Sequence, residues 1–208
     1  MRRINFRILH ALCLLSFALS LASVTHAQEA DVAHEDVSVV MRDLTNRDPL
    51  VRQRAAEELA RLAATDQRRL LEGYHLQEPD KRVRLALDWA LYRTGKESAL
   101  YSLVGALDSA KLYTQAQGYL SELEGPPPLY KFLAAGNGNT QLRLLEVFAR
   151  NGDAGTLEIV KPFEASSDPK LADAARFAAR EINLRLAQTP PITNIRPRQA
   201  GQVQPSTP

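Results

Sequence analysis

Side chains that could do nucleophilic, acid–base or metal chemistry are few in this chain and widely spaced. Beyond residue 27 there are two histidines, His34 and His75, and no cysteine, because the single Cys13 lies in the opening apolar segment. A metal site needs several converging imidazole, thiolate or carboxylate ligands, and covalent catalysis needs a nucleophile beside a base. Two isolated histidines meet neither need, so His34, at the start of the first helix, and His75, near the end of a later one, are expected on solvated surfaces. The carboxylates Glu57 with Glu58, and Glu122 with Glu124, have the composition of an acid–base pair. Glu57, however, precedes Arg61 by four residues, the favourable order for an ion pair on a helix surface. Gly136 and Gly138 are spaced like part of a phosphate cradle but follow no strand pattern, so they read as a turn. The expectation is a chain with no catalytic residue, no metal ligand set and no cofactor, and therefore not an enzyme.

The elements that carry these residues are read from periodicity. From Glu35 to Ala187 apolar residues recur three and four apart, with turn signals about every 15 residues and no sustained strand alternation. Five helix pairs result. The first sets Val37, Val40, Met41 and Leu44 against Val51, Ala55, Leu59 and Leu62, broken at 46–49. The second breaks at Glu78-Pro79-Asp80 and resumes with Val83, Leu87, Ala90 and Leu91. The third turns at Asp108-Ser109, the fourth at Gly136-Asn137-Gly138, and the fifth at Ser167-Asp168-Pro169. Aspartate before proline opens a helix well, since the carboxylate caps free backbone N–H groups and proline's missing donor has no partner there anyway. A unit of about 30 residues cannot bury its own apolar face and must stack on copies of itself.

The phrase Asp48-Pro49-x-Val51-Arg52-x-x-Ala55-Ala56-x-x-Leu59 resembles the HEAT repeat, especially the short bacterial type shared with phycobilin-lyase-like proteins. Val83, Arg84, Leu87 and Leu91 follow the same pattern, and Asp168-Pro169 returns to it. In the third pair Tyr113 replaces the arginine, and in the fourth Gly138-Asn139 replaces the aspartate-proline turn. The resemblance implies an all-α, right-handed α-solenoid of about five antiparallel helix pairs. It also implies a structural ladder in which turn aspartates Asp48, Asp80 and Asp168 and helix-start arginines Arg52 and Arg84 bridge successive repeats. Such a motif specifies fold and leaves function open.

One helix departs from the pattern. At 100° per residue Val83, Ala86, Leu87, Ala90 and Leu91 share one side, which leaves Leu85, Trp89 and Tyr92 opposite. In HEAT-like arrays the second helices line the concave surface, so this stripe would be an exposed patch for a protein or peptide partner, with Arg52 and Arg93 as rim charges. The competing reading packs Trp89 against a neighbouring repeat. Phe177, between Arg176 and Arg180, takes the matching position in the last pair, where it can meet the tail.

The ends bound location. The basic opening with Arg2, Arg3 and Arg7, the apolar run Ile8 to Val24 and the small-residue site Thr25-His26-Ala27 read as a cleaved signal peptide over 1–27. Leu12 before Cys13 argues against a lipoprotein signal, and Asn5 against a twin-arginine one. A short linker (28–34), the repeat domain (35–187) and a proline-rich tail (188–208) that is expected to be disordered follow. Of the net charge of +2, three positive charges sit in the signal and no acid precedes Glu29, so the remainder carries −1. That excludes a strong electrostatic pull toward nucleic acid, and no stable membrane insertion is expected once the signal is removed. The sequence is thus read as an exported scaffold or adaptor, periplasmic or secreted, that binds a protein or peptide. The alternatives are an enzyme accessory or chromophore-lyase-like subunit, and a rigid spacer in an envelope complex.

Overall fold

The computed structural model describes residues 37–188. The expected signal (1–27), the linker with His34 and the tail after Gln188 lie outside the described residues. The fold is all-α, and the expected helix pairs are present in order. Two compact units divide at residue 122.

In the first unit, α1 (37–43) pairs with α2 (Pro49–Arg61), α3 (Arg68–Gln77) with α4 (Lys81–Arg93), and α5 (Ala99–Gly105) with α6 (Tyr113–Ser121). Short 3₁₀ turns lead into α3 at Thr65–Gln67 and out of α5 at Ala106–Asp108. The most extensive packing is that of α2 along α4. Ala55, Ala56 and Ala60 on α2 and Ala86 and Ala90 on α4 are all buried, small side chains that bring the two helices close while Leu59, Leu87 and Leu91 interdigitate. Each fully buried leucine contributes about 1.5–3 kcal/mol relative to exposure.

The second unit pairs α7 (Tyr130–Ala135) with α8 (Gly138–Asn151) and α9 (Ala154–Val160) with α10 (Pro169–Gln188). Here α8 packs along α10, and Leu144, Val147 and Phe148 meet Ala175, Ala178 and Ile182 in the buried layer. Gly152, just after α8, lies against α10: a Cβ there would sit 2.6 Å from Ile182 Cδ1 and equally close to the Phe148 carbonyl oxygen of its own helix. Arg185 fastens the same corner by donating to the carbonyls of Ala149 (2.8 Å) and Gly152 (2.6 Å).

The helix starts follow the capping grammar. Asp48 accepts from Leu50 N at 2.9 Å, Asp80 from Arg82 N at 2.8 Å and Val83 N at 3.2 Å, and Asp168 from Lys170 N at 2.9 Å. Where the aspartate-proline turn is missing, Asn137 caps α8 through Asn139 N and Thr140 N, so Gly136-Asn137-Gly138 is a capping turn. No side chain caps α6, the repeat in which Tyr113 takes the arginine's place.

No helix among the described residues is long and apolar enough to cross a membrane.

Candidate partner-binding face

Trp89 lies in the interior of the first unit. Its ring stacks on Tyr119 of α6, with centroids 5.6 Å apart and planes within 2°, and on Tyr92 at 6.0 Å, while the Arg93 guanidinium covers it at 5.6 Å. Trp89 is 4% exposed and Leu85 3%. Of the two readings, the one that packs Trp89 against a neighbouring repeat is therefore the one observed, and the exposed Leu85–Trp89–Tyr92 patch is corrected. The cause is the position of α4, which α2, α3, α5 and α6 all contact, so that the side opposite its main apolar stripe is covered too. A helix with neighbours on both flanks does not need a polar face. Tyr92 and Arg93 remain half-buried at the rim.

A polar layer crosses the same helices beside the rings. The Tyr119 hydroxyl donates to Glu57 Oε1 on α2 at 2.6 Å and accepts from Gln115 Nε2 at 2.7 Å, and Gln53 Nε2 also donates to Glu57 Oε1 at 2.9 Å. Burial, reinforced by the glutamate, pushes the Tyr119 phenol far up, so it stays protonated and keeps its role as donor. Gln115 Nε2 reaches the Arg82 carbonyl as well, tying α6 to α4. Glu57 stands 32 residues before Trp89, the interval that separates Asp48 from Asp80, so the repeat places this glutamate where its neighbour has the tryptophan. That interval is the signal from which Glu57 was recoverable. Arg61, expected to pair with Glu57, makes its bidentate pair with Glu58.

The predicted ladder residues are at the turns, and their work differs from the expectation. The carboxylates of Asp48, Asp80 and Asp168 cap their own helices. Among these ladder residues, the one that joins repeats is Arg52, through Glu78: Nε donates to Oε2 at 2.9 Å and Nη2 to Oε1 at 2.8 Å. Arg52 Nη1 also holds the Asn46 carbonyl, six residues back, as Arg84 holds that of Glu78. Residues two before each cap repeat as well, with Asn46, Glu78 and Ser166 accepting from the N–H of Asp48, Asp80 and Asp168. Arg52 is thus committed to the turns, its guanidinium taken up by Glu78 and the carbonyls of Asn46 and Arg47 rather than held out as a rim charge. Glu78, which the sequence pattern marks only as part of a turn, is 8% exposed, and the Arg52 guanidinium holds its carboxyl below the usual range.

His75 is likewise not a freely solvated side chain, because its Nε2 lies 3.0 Å from Asp88 Oδ1, with the aspartate largely buried on α4.

Of the five residues expected to bind a partner, then, the structure leaves Tyr92 and Arg93 on one face over the buried Trp89, sinks Leu85 into the core and gives Arg52 to the repeat junction. Half-buried groups of α2, α4 and α6 form that face, and what it can do is hydrogen-bond and stack: it holds carboxylate, amide, phenol and guanidinium groups in fixed positions over a rigid aromatic base. No curated protein matches the chain. Residues 39–118, from α1 into α6, match the family model of HEAT repeats, so the stretch that holds the Arg52–Glu78 junction and all of this face but Tyr119 is built of HEAT repeats.

Proposed function

We propose that the chain is an exported, non-catalytic adaptor that holds a protein or peptide partner on the α2–α4–α6 face of its first unit. The observation that carries this reading is the aromatic stack of Tyr92, Trp89 and Tyr119, continued by Arg93 on one side and by the Glu57–Gln115 layer on the other. Tyrosine, tryptophan and arginine are the residues in which binding energy at interfaces concentrates, and here each is held by a neighbour before any partner arrives, so little side-chain entropy remains to be lost. Tyr92, Arg93, Gln53, Glu57 and Gln115 are the proposed contacts, with Trp89 as their support. Export is inferred from the basic opening, apolar run and small-residue site of residues 1–27.

The burial of Leu85 and Trp89 favours a second reading, a rigid spacer whose aromatic layer only joins repeats. Affinity capture from an envelope fraction separates the two. With the full chain as bait, a partner is expected to be recovered at a stoichiometric level and lost from the Tyr92→Ala/Arg93→Ala form. Equal recovery by both forms, or none by either, contradicts the adaptor.

A further inference from the structure

The first two turns of α4 border a groove of about 370 Å³, which opens between this helix and the end of α5 with its 3₁₀ extension. The groove lies within the size range of small-molecule sites, and none of the residues proposed to hold the partner lines it. Lys81, Arg84 and Asp88 stand on one side of α4 at helical spacing and face Ser102 and Ser109 across the opening.

The α4 wall is divided in charge. Asp88 is 7% exposed, and its ionic contact among the described residues is with His75, whose Nε2 lies 3.0 Å from Oδ1. A buried carboxylate is costly without donors and can accept about four hydrogen bonds, so this one has capacity left for a cation. Arg84 and Lys81 stand one and two turns earlier. Nε and Nη2 of Arg84 hold the Glu78 carbonyl at 3.2 and 2.7 Å, a contact in which Nη1 takes no part, and Lys81 is exposed. At the helical rise, Asp88 lies about 6 Å along the axis from Arg84 and about 10 Å from Lys81. An extended chain advances about 3.5 Å per residue, so the charged ends of a di- or tripeptide are separated by about 7 to 10 Å, the same interval. Ser102 and Ser109 add hydroxyls that can donate to a peptide carbonyl or accept from its N–H. Leu85 and Ala106 give small side chains an apolar surface. Gly105 keeps the opening wide, since a Cβ there would meet nothing within 4 Å.

We infer that this groove binds a di- or tripeptide with both ends free, its ammonium on Asp88 and its carboxylate between Arg84 and Lys81. The test is calorimetric titration of the full chain with trialanine, N-acetyl-trialanine and trialanine amide, with Tm measured on the same samples. Trialanine is expected to bind with a dissociation constant below about 1 mM, and each blocked form at least tenfold more weakly. Gly105→Phe, whose ring has room to enter the groove, is expected to remove binding with Tm kept. Lys81→Ala, at an exposed position, is expected to weaken trialanine at least threefold. No binding of trialanine up to about 10 mM overturns the site. Equal binding of all three peptides overturns the recognition of charged ends, and full binding by Gly105→Phe or Lys81→Ala overturns the location.

Discussion

Ala63 ends α2 with φ of 46°, and Gly95, 32 residues later in the equivalent place after α4, has φ of 95°. The left-handed region costs a residue with a Cβ about 1 kcal/mol, and glycine nothing, so the repeat has the suitable residue at one junction and not at the other. Ala63→Gly is therefore expected to stabilise the protein by about 0.5–1 kcal/mol, read as a rise of roughly 2–4 °C in Tm. A fall in Tm would show that the turn relaxes differently. Glu78 gives the pH-dependent counterpart. Its carboxyl is held low first by the hydrogen bonds from Arg52 and then by the Asp80 N–H, against the cost of burial. A depressed acid contributes stability above its unfolded pKa, near 4.3, and loses it as pH falls through the lower folded value. Glu78→Gln is thus expected to cost about 2 kcal/mol at pH 7 and progressively less below about pH 4, as measured by urea unfolding across pH. A cost that does not vary with pH would place the loss elsewhere. The caps at Asp48 and Asp168 were legible in the sequence because capping is local, acting over two or three residues, whereas Asp80, which follows its proline, reads there only as a turn residue that bridges repeats. The Arg52–Glu78 bond was not legible, because it joins residues 26 apart and only the stacking of repeats brings them together.

Among elements, α4 shows how far periodicity carries. Its start after the break at Glu78-Pro79-Asp80 and its main apolar side follow from the sequence, yet Leu85 through Leu91 are all buried, including Asp88. A single apolar stripe at helical spacing describes a helix with one covered side, and α4 has neighbours on several. The placement of Trp89 was decided by α6, whose own pattern is weak and uncapped, and whose Tyr119 supplies the stacking plane. The same tyrosine is the tie between α6 and α2. Tyr119→Phe keeps the ring and removes the donor to Glu57, leaving a half-buried carboxylate one partner short. The expected cost is about 1–2 kcal/mol, with the Trp89 near-ultraviolet signal preserved. A cost below about 0.3 kcal/mol would mean that water replaces the hydroxyl and that the layer does not hold the helices together.

At the scale of the molecule, the repeat made the architecture legible because a unit this short has few ways to bury its apolar side. It made the binding face only partly legible, since the side chains that distinguish this array, Glu57, Trp89 and Tyr119, are those that depart from the repeat and meet across it. Burial changes what Trp89→Ala should do: with its ring inside the first unit, the substitution is expected to lower stability by about 3–5 kcal/mol rather than to spare it. Tyr92 and Arg93 carry the binding claim instead. The most direct test is the dissociation constant of the captured partner for the full chain and for the Tyr92→Ala/Arg93→Ala form, measured with Tm on the same samples. The adaptor reading predicts at least a tenfold weakening, about 1.4 kcal/mol, with Tm within a few degrees of the parent. An unchanged dissociation constant, or a weakening that only tracks a loss of Tm, would contradict it.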